Sequence, residues 1–217
     1  MVGLTGHLPD IDPPGNDPAL DATLREVRAC RICAADLPLG PRPVVRMAAG
    51  AKILLIGQAP GTKVHETGLP WNDASGDRLR DWLRMDVASF YDPAKLAIMP
   101  MGFCYPGRLA GGGDAPPRPE CAPTWHDPLR RHLPDIRLTL LIGQYAQRFY
   151  LGTRRARTMT ATVQQFENYL TDNIMPLPHP SWRNTAWIRK NPWFEHRLLP
   201  VLRHRIHDIL TITGNPT

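Results

Sequence analysis

The stretch KILLIGQAPG, residues 52–61, decides the fold class of this chain. A short apolar run of strand type ends there in a tight loop of Gly and Pro that carries one polar side chain, Gln58. A second stretch of this kind, IMPLPHPS, lies far downstream at residues 174–181 and carries His179. Because ligands of α/β proteins bind at the carboxyl ends of parallel strands, we predict that Gln58 and His179 face a single pocket.

Strand-like and helix-like patterns alternate along the rest of the chain. Short apolar runs predict strands over residues 52–56, 96–101, 139–143 and 174–177. Helical spacing of apolar residues predicts helices over residues 19–29, 75–83, 127–133, 144–151 and 193–210. Short strands that alternate with helices form a parallel sheet covered on both faces. We therefore expect an α/β fold, a three-layer α/β/α sandwich with a central four-stranded parallel sheet.

The length of 217 residues is sufficient for one α/β domain with a full core, and we expect a single domain over residues 1–217. Residues 1–18, rich in Pro, Gly and Asp, are predicted to be an irregular N-terminal arm. Residues 104–123, which include three consecutive glycines and many prolines, are predicted to form a long loop. Ser75 is predicted to cap the helix that begins there.

The net charge and the hydropathy of the sequence limit the kinds of partner that we expect. The formal net charge is +6 and the pI is near 9.5, which suits a polyanionic partner, with an ordinary surface of modest basic excess as the alternative. The sequence has no run of 18 apolar residues, so we expect no membrane partner. It also lacks the pattern of a signal peptide, and we expect a location in the cytoplasm, in association with the nucleoid.

The chain has four cysteines. Cys30 and Cys33 form a C-x2-C pair, and Cys104 and Cys121 follow in the segment predicted to be loop. Four thiolates suit a [4Fe–4S] cluster or a structural zinc ion. The wide gap after Cys33 is unlike a small zinc finger and favours a cluster that ties the N-terminal arm to the main domain. Free thiols and disulfides are the alternatives, and disulfides are disfavoured in a chain without an export signal.

Taken in order, these motifs resemble the uracil-DNA glycosylase superfamily, especially its iron–sulfur families 4 and 5, from about Cys30 to the C-terminus. GQAPG at residues 57–61 resembles motif A, which is usually GEAPG in family 4, and GLPW at residues 68–71 is similar to the following G-x-P-F. DASGD at residues 73–77 resembles the D-x-S-G-D of family 5, and HPS at residues 179–181 matches motif B. The order and spacing of the cysteines are similar to those of the family 4 cluster ligands. Each motif is weak alone, but their order makes the resemblance specific.

Several positions depart from the family patterns. Gln58 replaces the family 4 Glu, and Val64 and His65 stand where family 4 has an acidic pair. Pro100 occupies the position of a family 4 Asn, and the catalytic Asp of family 1 would fall on Ala59. The sequence therefore resembles a divergent branch, and base specificity does not carry over from the resemblance.

The resemblance implies a pocket for a base that has been flipped out of the DNA. Trp71 matches the Phe that stacks on the base, although a Trp at this position could also be a core residue. The resemblance implies that His179 is the hydrogen-bond donor to the base oxygen. Without the resemblance, the residues alone favour an ordinary loop histidine. Asp73 matches the acidic position of family 5 and would orient the attacking water, with a helix cap as the alternative.

The loops around these residues are predicted to contact the substrate. In motif A, Gln58 would contact the base or position water through its amide or through the loop backbone, with Gly57, Ala59 and Gly61 lining the same loop.

After motif B, Ser181, Arg183 and Asn184 are predicted to push into the duplex and hold phosphate. Arg189 and Lys190 are further predicted phosphate contacts, with plain surface charge as the alternative.

The resemblance thus implies a monofunctional DNA glycosylase, active on uracil and other deaminated bases in single- or double-stranded DNA. No Lys lies in the motifs as a Schiff-base nucleophile, which argues against lyase chemistry. We expect a monomer with a [4Fe–4S] cofactor. A non-catalytic nucleic-acid-binding protein and an iron–sulfur redox or sensor protein are the alternative functions.

Overall fold

Four parallel strands form the central sheet of this protein, whose computed structural model describes residues 16–212. The strands are β1 (Ile53–Ile56), β2 (Leu96–Ile98), β3 (Leu138–Ile142) and β4 (Ile174–Leu177). Their order in the sheet is β2-β1-β3-β4, and all three neighbouring pairs are parallel. The predicted four-stranded parallel sheet is therefore confirmed.

The sheet has an apolar core on each face. Within β1, Ile53 and Leu55 point into one core, whereas Leu54 and Ile56 point into the other. A strand covered on both sides has no solvent-facing position, which is why β1 is a continuous apolar run rather than an alternating one. Full burial of each such side chain contributes about 1.5–3 kcal/mol.

Helices cover both faces and complete the predicted three-layer sandwich. The helices are α1 (Pro18–Arg28), α2 (Thr62–Thr67), α3 (Ala74–Leu83), α4 (Val87–Tyr91), α5 (Cys121–Arg130), α6 (Gly143–Leu151), α7 (Met159–Gln164), α8 (Phe166–Leu170), α9 (Thr185–Lys190) and α10 (Leu199–Ile212). A π-helical turn, Phe194–Leu198, leads into α10. Apolar residues of α3 and α10 pack in one core, and those of α1 and α5 pack in the other. None of the described helices is both long and apolar enough to cross a membrane.

Several boundaries differ from the sequence predictions. Residues 1–15 of the predicted arm lie outside the described residues. Pro18, the last residue of that arm, is the first residue of α1, and the side chain of Asp17 caps this helix. Proline suits this position because its missing N–H has no partner in the first helical turn. The predicted strand 96–101 is regular only as far as Ile98, although the amides of Met99 and Met101 still donate to the Leu55 and Gly57 carbonyls.

Another difference places Cys121 in a helix rather than in a loop. We predicted a helix only over residues 127–133, but α5 begins at Cys121 and contains Pro128. The prolines of this segment suggested loop from the sequence. Tertiary packing of Ala122 and Leu129 in the core outweighs that local preference.

A buried histidine links α5 to the segment that follows β2. His126 is 1% exposed, and its Nε2 lies 3.1 Å from the Pro100 carbonyl oxygen. A carbonyl only accepts, so Nε2 carries the proton and Nδ1 accepts from the Tyr150 hydroxyl at 2.7 Å. Burial lowers the pKa of His126 from 6.5 to about 4, against a smaller opposing contribution from the Pro100 hydrogen bond.

The free energy of unfolding should therefore fall on acidification. Between pH 6.5 and about 4 the unfolded chain binds a proton at this site and the folded chain does not. The contribution of His126 is complete above pH 6.5 and is lost at up to about 1.4 kcal/mol per pH unit below it. Urea unfolding of wild type and His126→Gln at several pH values should show a shallower pH dependence in the variant. His196→Gln, at an exposed position, is the control. Equal slopes in wild type and His126→Gln would contradict this account.

Candidate active site

A pocket of about 450 Å³ opens at the carboxyl edge of the sheet. The loops after β1 and β4 form its two sides, as predicted from the two strand ends. The predicted site residues that line it are Gly57, Gln58, Ala59, Gly61, Trp71, Asp73, His179, Ser181 and Arg183. Asn184 is not in the lining, but its Nδ2 donates to the His179 carbonyl at 2.7 Å and so supports the loop from behind.

Main-chain hydrogen bonds fix the loop of motif A. The amide of Met101 donates to the Gly57 carbonyl at 2.9 Å, and the amide of Gly102 donates to the Gln58 carbonyl at 3.0 Å. The pairing of β2 with β1 thus continues past the ends of both strands. The Gln58 side chain is also engaged, because its Nε2 donates to the Ala115 carbonyl at 3.1 Å. Its amide N–H therefore anchors a neighbouring loop, which leaves the side-chain oxygen for substrate or water.

The ring of Trp71 lies over Gly57, and the backbone of Trp71 has an unusual conformation. Its φ is 57°, in the left-handed region that bulky residues rarely adopt. A Cβ at Gly57 would lie 2.8 Å from Trp71 Cζ2, and a Cβ at Gly76 would lie 1.8 Å from the Trp71 carbonyl oxygen. The same carbonyl accepts a hydrogen bond of 3.3 Å from Arg80. Glycines at 57 and 76, together with Arg80, therefore set the position of the indole ring.

The Trp71 ring and the His179 ring lie close together in the lining of the pocket. Their ring centroids are 5.5 Å apart, and the planes are tilted by 33°. Trp71 is partly buried and also packs against one apolar core, so it meets both interpretations made from the sequence. The pocket-facing position is compatible with stacking on a base.

His179 sits where its charge is disfavoured. Burial lowers the pKa of His179, and the Asp73 carboxylate opposes that shift to a smaller extent. The imidazole is thus neutral at pH 7, with one N–H donor and one acceptor nitrogen. A Cβ built on Gly143, where φ is +80°, would lie 3.7 Å from the His179 Cβ. The turn after β3 therefore packs against the histidine.

Asp73 is the N-cap of α3. Its Oδ1 accepts from the Gly76 amide at 2.8 Å, so the prediction that Ser75 caps this helix is wrong. Ser, Asp and Asn all cap helices well, and Asp73 takes the position because it alone has the extended backbone conformation that a cap requires. Asp73 also lines the pocket, so the helix cap and a role toward substrate are compatible.

Residues 107–115 form a short hairpin in the segment that we predicted to be a long loop. Leu109 donates to the Gly113 carbonyl at 2.9 Å, Ala115 donates to the Gly107 carbonyl at 2.9 Å, and Arg108 pairs with Asp114 in an antiparallel bridge. Sequence reasoning missed Arg108 and Asp114, which both line the pocket. The three glycines at 111–113 indicated a turn, and the charged residues on either side of them were the available signal.

Arg183 lies against this hairpin. A Cβ at Gly113 would come within 2.3 Å of an Arg183 guanidinium nitrogen and would displace it, and the φ of +96° at this position favours glycine. The guanidinium also lies 5.6 Å from the centroid of the Trp182 ring, and Trp182 is 75% exposed. Arg183 thereby joins the motif B loop to the hairpin across the pocket mouth. Arg189 and Lys190 are exposed at the end of α9 and do not line the pocket.

The four cysteines lie together at a second location. Cys30, Cys33, Cys104 and Cys121 all line one small cavity of about 20 Å³ beside the start of α5. Within residues 16–212, no group of three or more His, Cys, Asp or Glu side chains is close enough to hold a single metal ion. Thiolates that each bind a different iron of a cluster stand farther apart than thiolates that share one ion, because the cluster itself lies between them.

The surroundings of these thiols fit a sulfur-rich group. The Phe103 amide donates to Cys121 Sγ at 3.3 Å. Trp125, one helical turn after Cys121, lines the same cavity, and its buried Nε1 has no hydrogen-bond partner among the described residues. Burial raises the pKa of Cys104 to about 11 and that of Cys121 to about 12, so each is a thiol until a metal displaces its proton.

The family model of the uracil DNA glycosylase superfamily matches residues 45–203. The matched region is well over half of the chain and includes all four strands, the loops of the pocket and the hairpin. Cys104 and Cys121 lie inside it, whereas Cys30 and Cys33 precede it. On this match, and with the strand-end pocket in place, the chain belongs to the uracil DNA glycosylase superfamily.

Proposed function

We propose that this protein is a monofunctional DNA glycosylase that removes uracil from DNA by hydrolysis of the N-glycosidic bond in base excision repair, with other deaminated bases as further substrates. The observation that carries the proposal is the convergence of Trp71, His179 and the motif A loop on one pocket at the carboxyl edge of the sheet. No lysine lines that pocket in the described part of the chain, which supports direct hydrolysis over Schiff-base chemistry.

Binding begins with extrusion of the target nucleotide. Flipping a base out of the stack costs a few kcal/mol, and the cost is least for a mispaired base. A pocket of about 450 Å³ has room for a pyrimidine. Stacking on an aromatic ring returns about 1–3 kcal/mol per base, and Trp71 offers its face next to Gly57. The indole therefore both recovers part of the flipping cost and orients the base toward His179.

The leaving base carries the electron pair of the bond that breaks. As the bond between the sugar carbon and the base nitrogen lengthens, negative charge accumulates on the base oxygen. A neutral His179 can donate its N–H to that oxygen, and this interaction strengthens as charge builds. In the ground state the base is neutral and this hydrogen bond is weaker, so its strengthening lowers the barrier.

The sugar develops the complementary positive charge. Asp73 lies within electrostatic range of His179 and lines the same pocket, so its carboxylate stabilises the oxocarbenium-like sugar. The family 1 Asp has no counterpart at Ala59, which leaves Asp73 as the carboxylate that the resemblance supplies. The side-chain oxygen of Gln58 and the backbone of Gly57 and Gly61 complete the contacts to base and water.

The protein surface around the pocket suits DNA. Trp182 projects into solvent from the motif B loop and would fill the space that the flipped base vacates. Ser181, Arg183 and Asn184 hold this loop and its contacts to the backbone. Arg189 and Lys190 add phosphate contacts that make the affinity fall with salt. We infer a monomer that acts where DNA is present, in the cytoplasm with the nucleoid.

We further propose that the four cysteines together bind one [4Fe–4S] cluster. Their shared cavity supports a common metal group, and the spacing of the described side chains, too wide for one ion, favours a cluster over a single zinc ion. When bound, such a cluster holds the segment around Cys30 and Cys33 against the domain by metal–thiolate bonds. Its role in this proposal is structural, and no step of the excision passes through it.

A non-catalytic DNA-binding protein on the same fold is the second candidate, favoured by Ala59 and by the engagement of Asp73 as a helix cap. One assay separates the two. The protein is incubated with oligonucleotides that contain uracil, hypoxanthine or xanthine, and alkali then breaks the strand at abasic sites. Breaks at any of these bases support the enzyme, whereas binding without breaks at all of them supports the second candidate.

His179→Ala should lower the single-turnover excision rate by about 10²–10³-fold, as removal of an oxyanion donor does. Affinity for DNA should change little, because phosphate contacts dominate it. The test measures rate and binding titration side by side, with His204→Ala on the exposed face of α10 as the control. A wild-type rate in His179→Ala with intact binding would refute the role.

Trp71→Ala should lower excision by about 5- to 150-fold, which corresponds to the loss of about 1–3 kcal/mol of stacking. Trp71→Phe should retain most of the activity, because a phenyl ring still offers a face to the base. Both variants place a residue with a Cβ at the same left-handed position, so backbone strain cancels in the comparison. Similar, near-native rates in both would mean that Trp71 only packs against the core.

Anaerobically purified protein should contain about four iron and four sulfide per chain. Cys30→Ala should lower the thermal unfolding temperature more than it lowers the excision rate of the folded fraction, because the cluster ties down the N-terminal segment. Ala29→Ser, next to the ligand and exposed, is the matched control. Stoichiometric zinc without iron would contradict the assignment.

A further inference from the structure

The hairpin 107–115 carries a carboxylate into the pocket that neither the motifs nor the family patterns single out. Three sets of contacts seat the hairpin: its own main-chain bonds, the Gln58 side chain on the Ala115 carbonyl, and Arg183 on Gly113. None of these contacts uses the side chain of Asp114. The position of Asp114 is therefore set by its backbone, and its carboxylate is left for another purpose.

Asp114 lines the pocket beside the motif A loop. Its Oδ2 lies 3.6 Å from the position that a Cβ on Gly61 would occupy. Gly61 is partly exposed whereas Gly57, under the Trp71 ring, is buried, so Asp114 stands at the outer part of the pocket. If the base lies deep, against Trp71 and His179, the sugar lies at the level of Asp114.

The two pocket carboxylates differ in what they are free to do. Asp73 Oδ1 is engaged by the Gly76 amide as a helix cap. Across residues 16–212, by contrast, no group lies within hydrogen-bonding or ion-pairing distance of the Asp114 carboxylate. Asp114 thus has both oxygens available for a water molecule.

The surroundings of Asp114 raise the proton affinity of its carboxylate on balance, and burial is the main cause. Burial raises the pKa of its carboxyl group, while Arg108 and Arg183 lower it and Asp73 raises it. Arg108 is on the hairpin itself, Arg183 comes from the motif B loop, and Asp73 comes from the start of α3. Asp114 is exposed at the pocket mouth, so water reaches its carboxylate, and a raised pKa makes a carboxylate a stronger proton acceptor.

We propose that Asp114 is the catalytic base that orients the attacking water and takes its proton, which rests on the glycosylase activity proposed above. The water oxygen forms the new bond to the sugar carbon as the bond to the base nitrogen breaks. The electron pair of that bond leaves with the base, whose oxygen is stabilised by His179. The water proton passes to Asp114 and then to solvent, while Asp73 stabilises the cationic sugar without transferring a proton.

The first test compares Asp114→Asn with Asp73→Asn in single-turnover excision of the base that the wild type releases fastest. Asp114→Asn should lose about 10²–10⁴-fold, the range for a general base, and Asp73→Asn should lose less. Asn caps helices as well as Asp does, so the second variant keeps α3 intact. Asp208→Asn on α10 is the control. A larger loss in Asp73→Asn than in Asp114→Asn would overturn the assignment.

The pH profile separates a base from a residue that only shapes the hairpin. The rate should fall on acidification as Asp114 becomes protonated, and this acid limb should be absent from the residual rate of Asp114→Asn. In Asp114→Ala, added formate should restore part of the rate, because a small carboxylate can enter the space that the side chain leaves. An unchanged acid limb in Asp114→Asn, or no response of Asp114→Ala to formate, would count against the proposal.

A binding measurement tests Asp114 even if the wild type releases no base, an outcome that would refute the proposed function alone. The probes are duplexes with either a cationic pyrrolidine or a neutral tetrahydrofuran in place of the target sugar. The wild type should prefer the cationic probe, and Asp114→Asn should lose at least about tenfold of that preference while its affinity for the neutral probe is unchanged. No preference in the wild type, or an equal preference in the variant, would overturn a role of Asp114 at the sugar.

Discussion

The parallel pairing of β1 with β2 is the constraint on which the site depends, because it continues beyond the strands into the loop that follows β1. The amides of Met101 and Gly102 donate to the carbonyls of Gly57 and Gln58, so the floor of the pocket is an extension of the sheet ladder. A loop held by main-chain bonds on a buried sheet has little freedom to shift. The residues of motif A therefore stand at fixed points, and the other elements are arranged around them.

Glycine provides the second requirement of the site, which is close approach. The indole of Trp71 rests where a side chain at Gly57 would be, and its carbonyl occupies the space of a side chain at Gly76. Trp71 adopts a left-handed backbone conformation to reach this position, and such strain at a functional site persists only when surrounding contacts hold it. Arg80, in the last turn of α3, donates to the Trp71 carbonyl, and the Asp73 cap fixes the start of the same helix. A helix terminus thus positions the aromatic wall of the pocket.

Much of the fold and part of the site could be predicted from local pattern. Continuous apolar runs predicted the four strands because both faces of the sheet are covered, and the Gly/Pro loops after β1 and β4 located the pocket. The beginning of α5 at Cys121 and the hairpin at 107–115 were missed for one reason. Their prolines and glycines indicate loop locally, whereas the helix is stabilised by core packing and the hairpin by contacts with Gln58 and Arg183, distant in sequence.

The amino-acid pattern alone thus specified the α/β class and the strand ends that form the pocket. It also singled out Trp71, His179 and the cysteines as candidate site residues. These follow from periodicity, turn chemistry and motif order, which are properties of neighbouring residues. Only the folded chain decided that Asp73 rather than Ser75 caps α3, that Gln58 anchors a hairpin, and that Asp114 enters the pocket. Each of these depends on which segments meet in the folded chain. The residues next to a position in the sequence do not specify its partners elsewhere in the fold.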